Sequence, residues 1–517
     1  MNNRNYNIYF HTHTVSGIVI SVVLFVIFFA GSFSFFRDET INWERGESVS
    51  LTKEIPINYD ATLDTLNKKY ILAGRNISIS KSGNERRVNI YMEGTKDTLA
   101  PAKLKESQFF YLDTENFKTQ TYEESYSLGE FLYRLHFLAQ IPYPVGYYLS
   151  GFIALFFLFA IVTGVLLHWN KIVSNFYIFR PKEKLKTLWT DAHTALGMIG
   201  LPFQFVYAVT GAFFMIKLLI VAPSVMILYK GDETKLYDDL EYNNPVYKFE
   251  NKKLVNPFSI NEFVEKAKNT WKDFEISSVQ IQNYGDANMH VVVEGEMPHD
   301  KKFTAVGKII YKIADGKIVA KKDPITQNKY LDGVKNVLYR IHFGDYGGYA
   351  LKIISFVLGI ITCFVIISGV MIWLVARDKK NMPEKKRRFN NSVVRIYLAV
   401  CLSMYPVTAM SFIANKVFYP LSQSNIYSVY FISWLVLIIF FLLKKDINFT
   451  NKWSLISGSI LGFMIPIANG IYTGNWFWKT FAQNQVQIFF IDIFWIVLAS
   501  ITLYVAFSLK PKENNNQ

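Results

Sequence analysis

Cysteine is nearly absent. The chain has two in 517 residues, Cys363 and Cys401, both inside apolar runs. They form no metal-spacing motif, and two cysteines cannot make a disulfide framework. No GxGxxG stands between a strand and a helix, so no flavin or nicotinamide domain is recognisable. No small-residue cleavage site follows the first apolar run. That run is too long for a signal-peptide core and reads as a retained anchor. Acidic residues are outnumbered, 41 against 55 Lys and Arg, which leaves a net charge of +14. A purely soluble enzyme rarely combines this imbalance with so apolar a chain.

Apolar residues are abundant: 51% of the chain is hydrophobic and 16% aromatic. Eight segments are long enough to cross a bilayer as helices of about 20 residues. They lie at roughly 14–36, 146–168, 194–216, 351–376, 394–418, 427–443, 453–473 and 486–509. Lys171, Arg180, Lys182, Lys184 and Lys186 follow the second segment. Arg377, Lys379, Lys380, Lys385, Lys386, Arg387 and Arg388 follow the fourth. Lys444, Lys445 and Lys452 follow the sixth, and Lys510 and Lys512 the eighth. The loops 419–426 and 474–485 carry only Lys479. The positive-inside rule then places both termini in the cytoplasm and makes the basic excess an orientation signal. Membrane lipid, not nucleic acid, is the partner this charge pattern implies.

The chain therefore divides as follows. An N-terminus and first span (1–36) precede an extracytoplasmic module (37–140). The second span (141–170), a basic cytoplasmic loop (171–192) and the third span (193–222) come next. A second extracytoplasmic module (223–345), the fourth span (346–376) and another basic cytoplasmic loop (377–393) follow. A four-helix membrane region (394–509) and a cytoplasmic tail (510–517) end the chain. Each module reads as a small α+β unit. Helices are expected near 60–70 and in "FSINEFVEKAKNTW". Hairpins are expected in "NISISKSGNERRVNIYMEG", "FFYLDTENFKTQTY", "SVQIQNYGDANMHVVVEGE" and "GKIIYKIADGKIVAKKD".

The first four spans repeat. "HTVSG" opens at His13 and "HTALG" at His193, with Gly31 and Gly211 each 18 residues after the histidine. "LYRLHF" (132–137) and "LYRIHF" (338–343) precede spans two and four, and Gly164 and Gly369 follow 28 and 27 residues after His136 and His342. Residues 1–170 and 190–376 are thus two copies of one unit, expected to pack about a pseudo-two-fold axis along the membrane normal. The copies differ at His168, which matches Trp373, and at His11, which matches Asp191.

This symmetry sets His136 opposite His342 at the outer ends of their spans, and His13 opposite His193 at the inner ends. Two imidazoles facing each other across a bundle are what a bis-histidine haem requires. His168 competes with His13 as the partner of His193. Arg134 and Arg340, two residues before their histidines, suit haem propionates. Gly17, Gly31, Gly197 and Gly211 leave room for a flat macrocycle, or simply let helices approach. Gly458 and Gly462 read as helix packing. Repeated Tyr-Arg-x-His also reads as a structural latch. His290 and His299 read as surface residues, and Trp43, Trp476 and Trp478 as interfacial aromatics. Asp492 lies inside span eight at a depth comparable to Lys416 and Asn469, as either a structural pair or a proton or quinol site.

The chain resembles the PepSY-associated transmembrane helix family. The resemblance rests on the HTxxG starts at His13 and His193, the LYRxHF clusters, and the hairpins "YLDTENFKTQTY" and "YKIADGKIVAKKD". It covers about residues 8–378. It implies a four-helix core with two small PepSY-like α+β outer modules in a bacterial inner membrane; with the spans read above, the chain is a mainly α membrane protein of about eight transmembrane helices. The family includes siderophore-linked ferric reductases. The resemblance accordingly implies haem b in the four-helix core, passing electrons to ferric-siderophore or another ferric chelate in the periplasm; the two histidine levels imply two haems, and without a nucleotide domain the donor is an unidentified protein, a quinol or a cytoplasmic reductant. The residues concerned are His13, His136, His168, His193, His342, Arg134 and Arg340. Spans five to eight depart from the family. Two other readings remain open: a haem-free anchor whose modules bind peptide, peptidase or siderophore, and a siderophore transporter.

Overall fold

In the computed structural model the described residues are 2–49, 54–81, 83–171, 174, 177, 180, 183–240, 243–327, 330–378 and 381–509. Lys182, Lys379, Lys380, Lys510 and Lys512 of the basic clusters, and the tail 510–517, lie outside them. The long apolar runs form helices because a helix satisfies every backbone amide and carbonyl internally, as lipid demands. The helices in chain order are α1 (Asn3–Ser34), α2 (Arg37–Arg45), α3 (Tyr59–Lys69), α4 (Leu128–Leu135), α5 (Val145–His168) and α6 (Leu185–Leu228). They continue with α7 (Glu233–Asp239), α8 (Ile260–Lys268), α9 (Tyr330–Phe343), α10 (Gly348–Arg377) and α11 (Glu384–Leu402). The last are α12 (Met404–Val417), α13 (Gln423–Lys444), α14 (Ile447–Thr473), α15 (Phe477–Ala482) and α16 (Val486–Ser508). Eight stretches among these are long and apolar enough to cross a membrane. The protein is a multi-pass membrane protein.

The fifth crossing is two helices rather than one. α11 stops at Leu402 and α12 starts at Met404. Pro406 has no amide to give the Leu402 carbonyl, so the ladder breaks there. Close approach is set by small residues. A side chain on Gly359 of α10 would lie 2.2 Å from Ser32 Oγ of α1. One on Gly458 of α14 would lie 2.3 Å from the Tyr405 ring, and one on Gly462 3.1 Å from Ala499 Cβ. The packing role read for that GxxxG is thus what the helices use.

The chain forms two compact units. One comprises Met1–Ser48, Ser127–Pro223 and Arg340–Gln517, and is helical. The other comprises Val49–Tyr126 and Ser224–Tyr339. The helical unit therefore takes in α2 and α4, which by sequence fall in the first module (37–140). α4 starts against α2, where a side chain on Gly129 would lie 2.6 Å from the Arg37 carbonyl oxygen.

The second unit holds the expected hairpins, but as one sheet and not two. Its strands are β1 (Ile77–Lys81), β2 (Arg87–Met92), β3 (Gln108–Asp113), β4 (Thr119–Gln120), β5 (Glu275–Gln282), β6 (His290–Glu296), β7 (Val306–Lys312) and β8 (Ile318–Lys322). Their order is β4-β3-β2-β1-β5-β6-β7-β8, all neighbours antiparallel. Ile79 pairs with Ile90 on one side and Val279 on the other. Four strands alone would expose an unpaired ladder edge on β1 and on β5; joining them satisfies both. The helices reinforce the join. Asp60 accepts from Ser259 Oγ at 2.5 Å and the Ile260 amide at 2.7 Å, and Asn261 Oδ1 accepts from the Tyr59 amide at 2.9 Å. Each helix thus caps the other's N-terminus. Ile77, Ile79, Val88, Ile90, Val279, Ile281, Val291 and Val293 pack with Leu63, Leu66, Phe263 and Val264 in one core. His290, read as a surface residue, is a correction. It is 3% exposed and lies flat on Tyr247, ring centroids 3.5 Å apart, because the first residue of β6 points inward.

Candidate functional site: two histidine pairs

The helical unit brings the repeat histidines together at two levels. At the first, His13 of α1 meets His193 of α6, ring centroids 6.1 Å apart. His13 Nδ1 lies 2.8 Å from the Ala160 carbonyl oxygen of α5. His193 Nδ1 lies 3.0 Å from the Val365 carbonyl oxygen of α10 and 3.0 Å from Ser368 Oγ. Each carbonyl stands four residues before a repeat glycine, and the ring rests on that glycine. A Cβ on Gly164 would lie 3.1 Å from His13 Cε1; one on Gly369 would lie 3.3 Å from His193 Cε1. The hydroxyls repeat too. Thr163 donates to Phe159 O at 2.7 Å, with Ala160 O at 3.1 Å, and Ser368 to Val365 O at 2.8 Å. A carbonyl accepts only, so each Nδ1 carries the proton and each Nε2 keeps its lone pair.

At the second level His136 meets His342, centroids 6.5 Å apart and planes 34° from parallel. His136 Nδ1 bonds the Tyr133 carbonyl one turn back. His342 Nδ1 lies 2.7 Å from Thr210 Oγ1, and that hydroxyl donates to Val206 O at 2.6 Å. Its proton is therefore committed, and it accepts from Nδ1–H. Tyr207 Oη donates to the His342 carbonyl at 2.8 Å. Burial pushes His136 down to about 4 and His342 down to about 3, so both rings are neutral near pH 7. His136 also passes Gly31, where a Cβ would lie 3.7 Å from its own. Eighteen residues of α1 at about 1.5 Å each put the two levels about 27 Å apart along that helix.

His168 closes α5 at the first level and interacts electrostatically with His193, but the ring contact there is between His13 and His193. Arg134 Nη1 lies 3.9 Å from Glu130, and Arg340 Nη1 3.0 Å from Asp345. Arg37, not singled out from the sequence, donates to Glu130 at 2.9 Å and to Asp38 at 2.8 Å, and stands over the Tyr133 ring at 5.6 Å. Thr210 and Ser368 were missed as well. Their signal was present: a hydroxyl residue directly precedes Gly164, Gly211 and Gly369, though not Gly31. Gly17 and Gly197 face open space, with nothing among the described residues within 4 Å of an added Cβ.

Asp492 belongs to a different cluster. Its Oδ1 accepts from Trp43 Nε1 at 2.8 Å and its Oδ2 from Asn469 Nδ2 at 2.9 Å. Lys416 does not pair with it directly. Trp43, read as an interfacial aromatic, is instead fully buried and part of this cluster.

Among the described residues no group of three or more His, Cys, Asp or Glu side chains is placed to hold a bare metal ion. The histidines come in pairs, which suits an iron that brings its own equatorial ligands. Residues 10–376 match the PepSY-associated TM region. The chain belongs to the PepSY-associated TM family. The match takes in both histidine pairs and both halves of the sheet, and ends before α11. No curated protein matches the chain.

Proposed function

We propose that this PepSY-associated TM protein is a b-type haem electron carrier of a bacterial inner membrane. In this reading it reduces a ferric-siderophore or another ferric chelate on the periplasmic side, for iron acquisition. The observation that carries the reading is the pair geometry. Metal–imidazole bonds of about 2 Å on either side of an iron, plus a ring radius of about 1 Å, set facing centroids about 6 Å apart. The observed separations are 6.1 and 6.5 Å. All four rings are held by Nδ1, which leaves Nε2 to coordinate and fixes the ring plane, as partners of metal-bound histidines do. The open space at Gly17 and Gly197 is where a macrocycle at the first level has clearance.

A bound haem would supply one-electron chemistry. The chain supplies the rest. His13 and His193 would hold the haem at the cytoplasmic end, with His168 beside them, where a quinol or a cytoplasmic reductant delivers electrons. His136 and His342 would hold the periplasmic one, with Arg134 and Arg340 each two residues before its histidine. The basic loops after spans two, four, six and eight support termini in the cytoplasm.

The test is a dithionite-reduced minus oxidised spectrum of the purified protein. Two b-type haems per chain are expected. His136→Ala and His342→Ala should each remove the same one, and His13→Ala and His193→Ala the other. Well-expressed protein with no b-type bands overturns the reading. Loss of the first-level haem with His168→Ala but not with His13→Ala overturns the pairing.

A further inference from the structure

Spans five to eight lie beyond the family match, and three of them meet α2 in a cluster of buried ionisable groups. Glu44 of α2 is 4% exposed, Lys416 of α12 3%, and Asp492 of α16 is fully buried. Trp43 and Asn469 occupy both oxygens of Asp492. Lys416 Nζ donates to the Trp43 carbonyl, and to the Glu44 carbonyl at 3.3 Å, and stands 4.3 Å over the Trp43 ring. Among the described residues no carboxylate lies within ion-pair distance of Lys416. Glu44 Oε2 accepts from the Leu128 amide of α4 at 2.8 Å.

We propose that Glu44, Lys416 and Asp492 form a buried proton-binding site, completed by the C-terminal spans, that exchanges one proton on Glu44. With all three groups ionised the buried cluster carries one net negative charge, offset only by the half-buried Arg45 at the end of α2, and a water-poor interior resists it. One proton makes it neutral. Of the two carboxylates, Asp492 is the one whose oxygens both accept hydrogen bonds from donors fixed on other helices, so it keeps its charge. Glu44 has one such bond, so it is the carboxylate that takes the proton. The charged groups facing Glu44 are Arg45 on its own helix and Lys416 on α12. Asp492 on α16 faces Lys416 in turn, α4 offers Glu44 an amide, and α14 offers Asp492 the uncharged Asn469. Burial pushes Glu44 up to about 7, within reach of physiological proton exchange. Solvent is near along the chain: α2 ends one residue later and Ser48 is exposed. The exchange is ionisation of a carboxylic acid to water and needs no redox partner.

The repeat alone contains Glu44 but not Lys416, Asn469 or Asp492, so this assigns a role to three of the four extra spans. It does not depend on haem. The experiment is pH-difference infrared spectroscopy on full-length protein in lipid nanodiscs. A carbonyl-stretch band of a protonated carboxylic acid should disappear on alkalinisation with a midpoint at about 7. Glu44→Gln should abolish it while keeping the acceptor for the Leu128 amide, with near-ultraviolet circular dichroism checking the fold. Lys416→Met should raise the midpoint and Asp492→Asn lower it, each by about one pH unit or more. No titrating band in the wild-type protein, a band that persists in Glu44→Gln, or a midpoint indifferent to both charge variants overturns the proposal.

Discussion

Alanine at position 164 probes the first histidine level where it is tightest. The added Cβ would lie 3.1 Å from His13 Cε1 and 3.3 Å from Nδ1. Carbon atoms settle at about 3.5–4.0 Å, so the ring must retreat by about 0.5 Å. It cannot do so and keep Nδ1 at 2.8 Å from the Ala160 oxygen, because both contacts lie on the same turn of α5. Overpacking costs about 1–3 kcal/mol, and a weakened buried hydrogen bond adds about 1 kcal/mol. Alanine returns about 1 kcal/mol in helix propensity. The net loss of stability is about 1–3 kcal/mol. On the haem reading proposed above, the ligand angle of His13 should change far more visibly than the fold. The corresponding contact in the other repeat is looser, 3.3 and 3.7 Å from His193 Cε1 and Nδ1, so Gly369→Ala should perturb less. The assay is haem content and low-temperature electron paramagnetic resonance of both variants, with thermal melting beside it. The expected order is Gly164→Ala, then Gly369→Ala, then wild type, with the second-level haem unchanged in all three. Identical spectra for Gly164→Ala and wild type, or the reverse order, would refute the packing of imidazole on glycine.

Other expectations are independent of that contact. Thr210→Val keeps the shape but removes the acceptor of His342 Nδ1, leaving a buried N–H at a cost of about 1–3 kcal/mol. Haem should be lost from the second level only, and Thr210→Ser should restore it. Gly129→Ala would place a methyl 2.6 Å from the Arg37 carbonyl and 2.9 Å from Ile41, and should lower the melting temperature by the equivalent of about 1–3 kcal/mol. Asp60→Ala strips the cap from α8 and should cost the sheet unit about 1–2 kcal/mol, read as faster limited proteolysis of full-length protein. Glu44 also sets a pH dependence. Its folded value, about 7, exceeds its ordinary 4.5, so between these the native state binds more protons than the unfolded one. Stability should fall as pH rises through that window, and Glu44→Gln should flatten the fall; a wild-type melting temperature that climbs there contradicts it.

The sequence by itself determined the spans, the repeat and the identity of the histidines. Apolar length has one solution in lipid, and an 18-residue spacing from His13 to Gly31, repeated from His193 to Gly211, survives any packing. The hairpins were legible for the same local reason: alternation in "ISIS" and "VNIYM" and turns at Gly and Asp are written within a few residues. Tertiary structure alone decided what lies far apart in the chain. That β1 and β5 join two modules into one sheet depends on two edges separated by nearly two hundred residues, and no local pattern encodes which edges meet. That Arg37, Thr210 and Ser368 serve the histidines depends on which face of each helix turns inward. That Trp43, thought interfacial, is buried against Asp492 depends on α2 folding back onto spans that follow it by more than 360 residues. A hydrogen bond between such distant residues becomes visible only once packing has brought donor and acceptor within three ångströms.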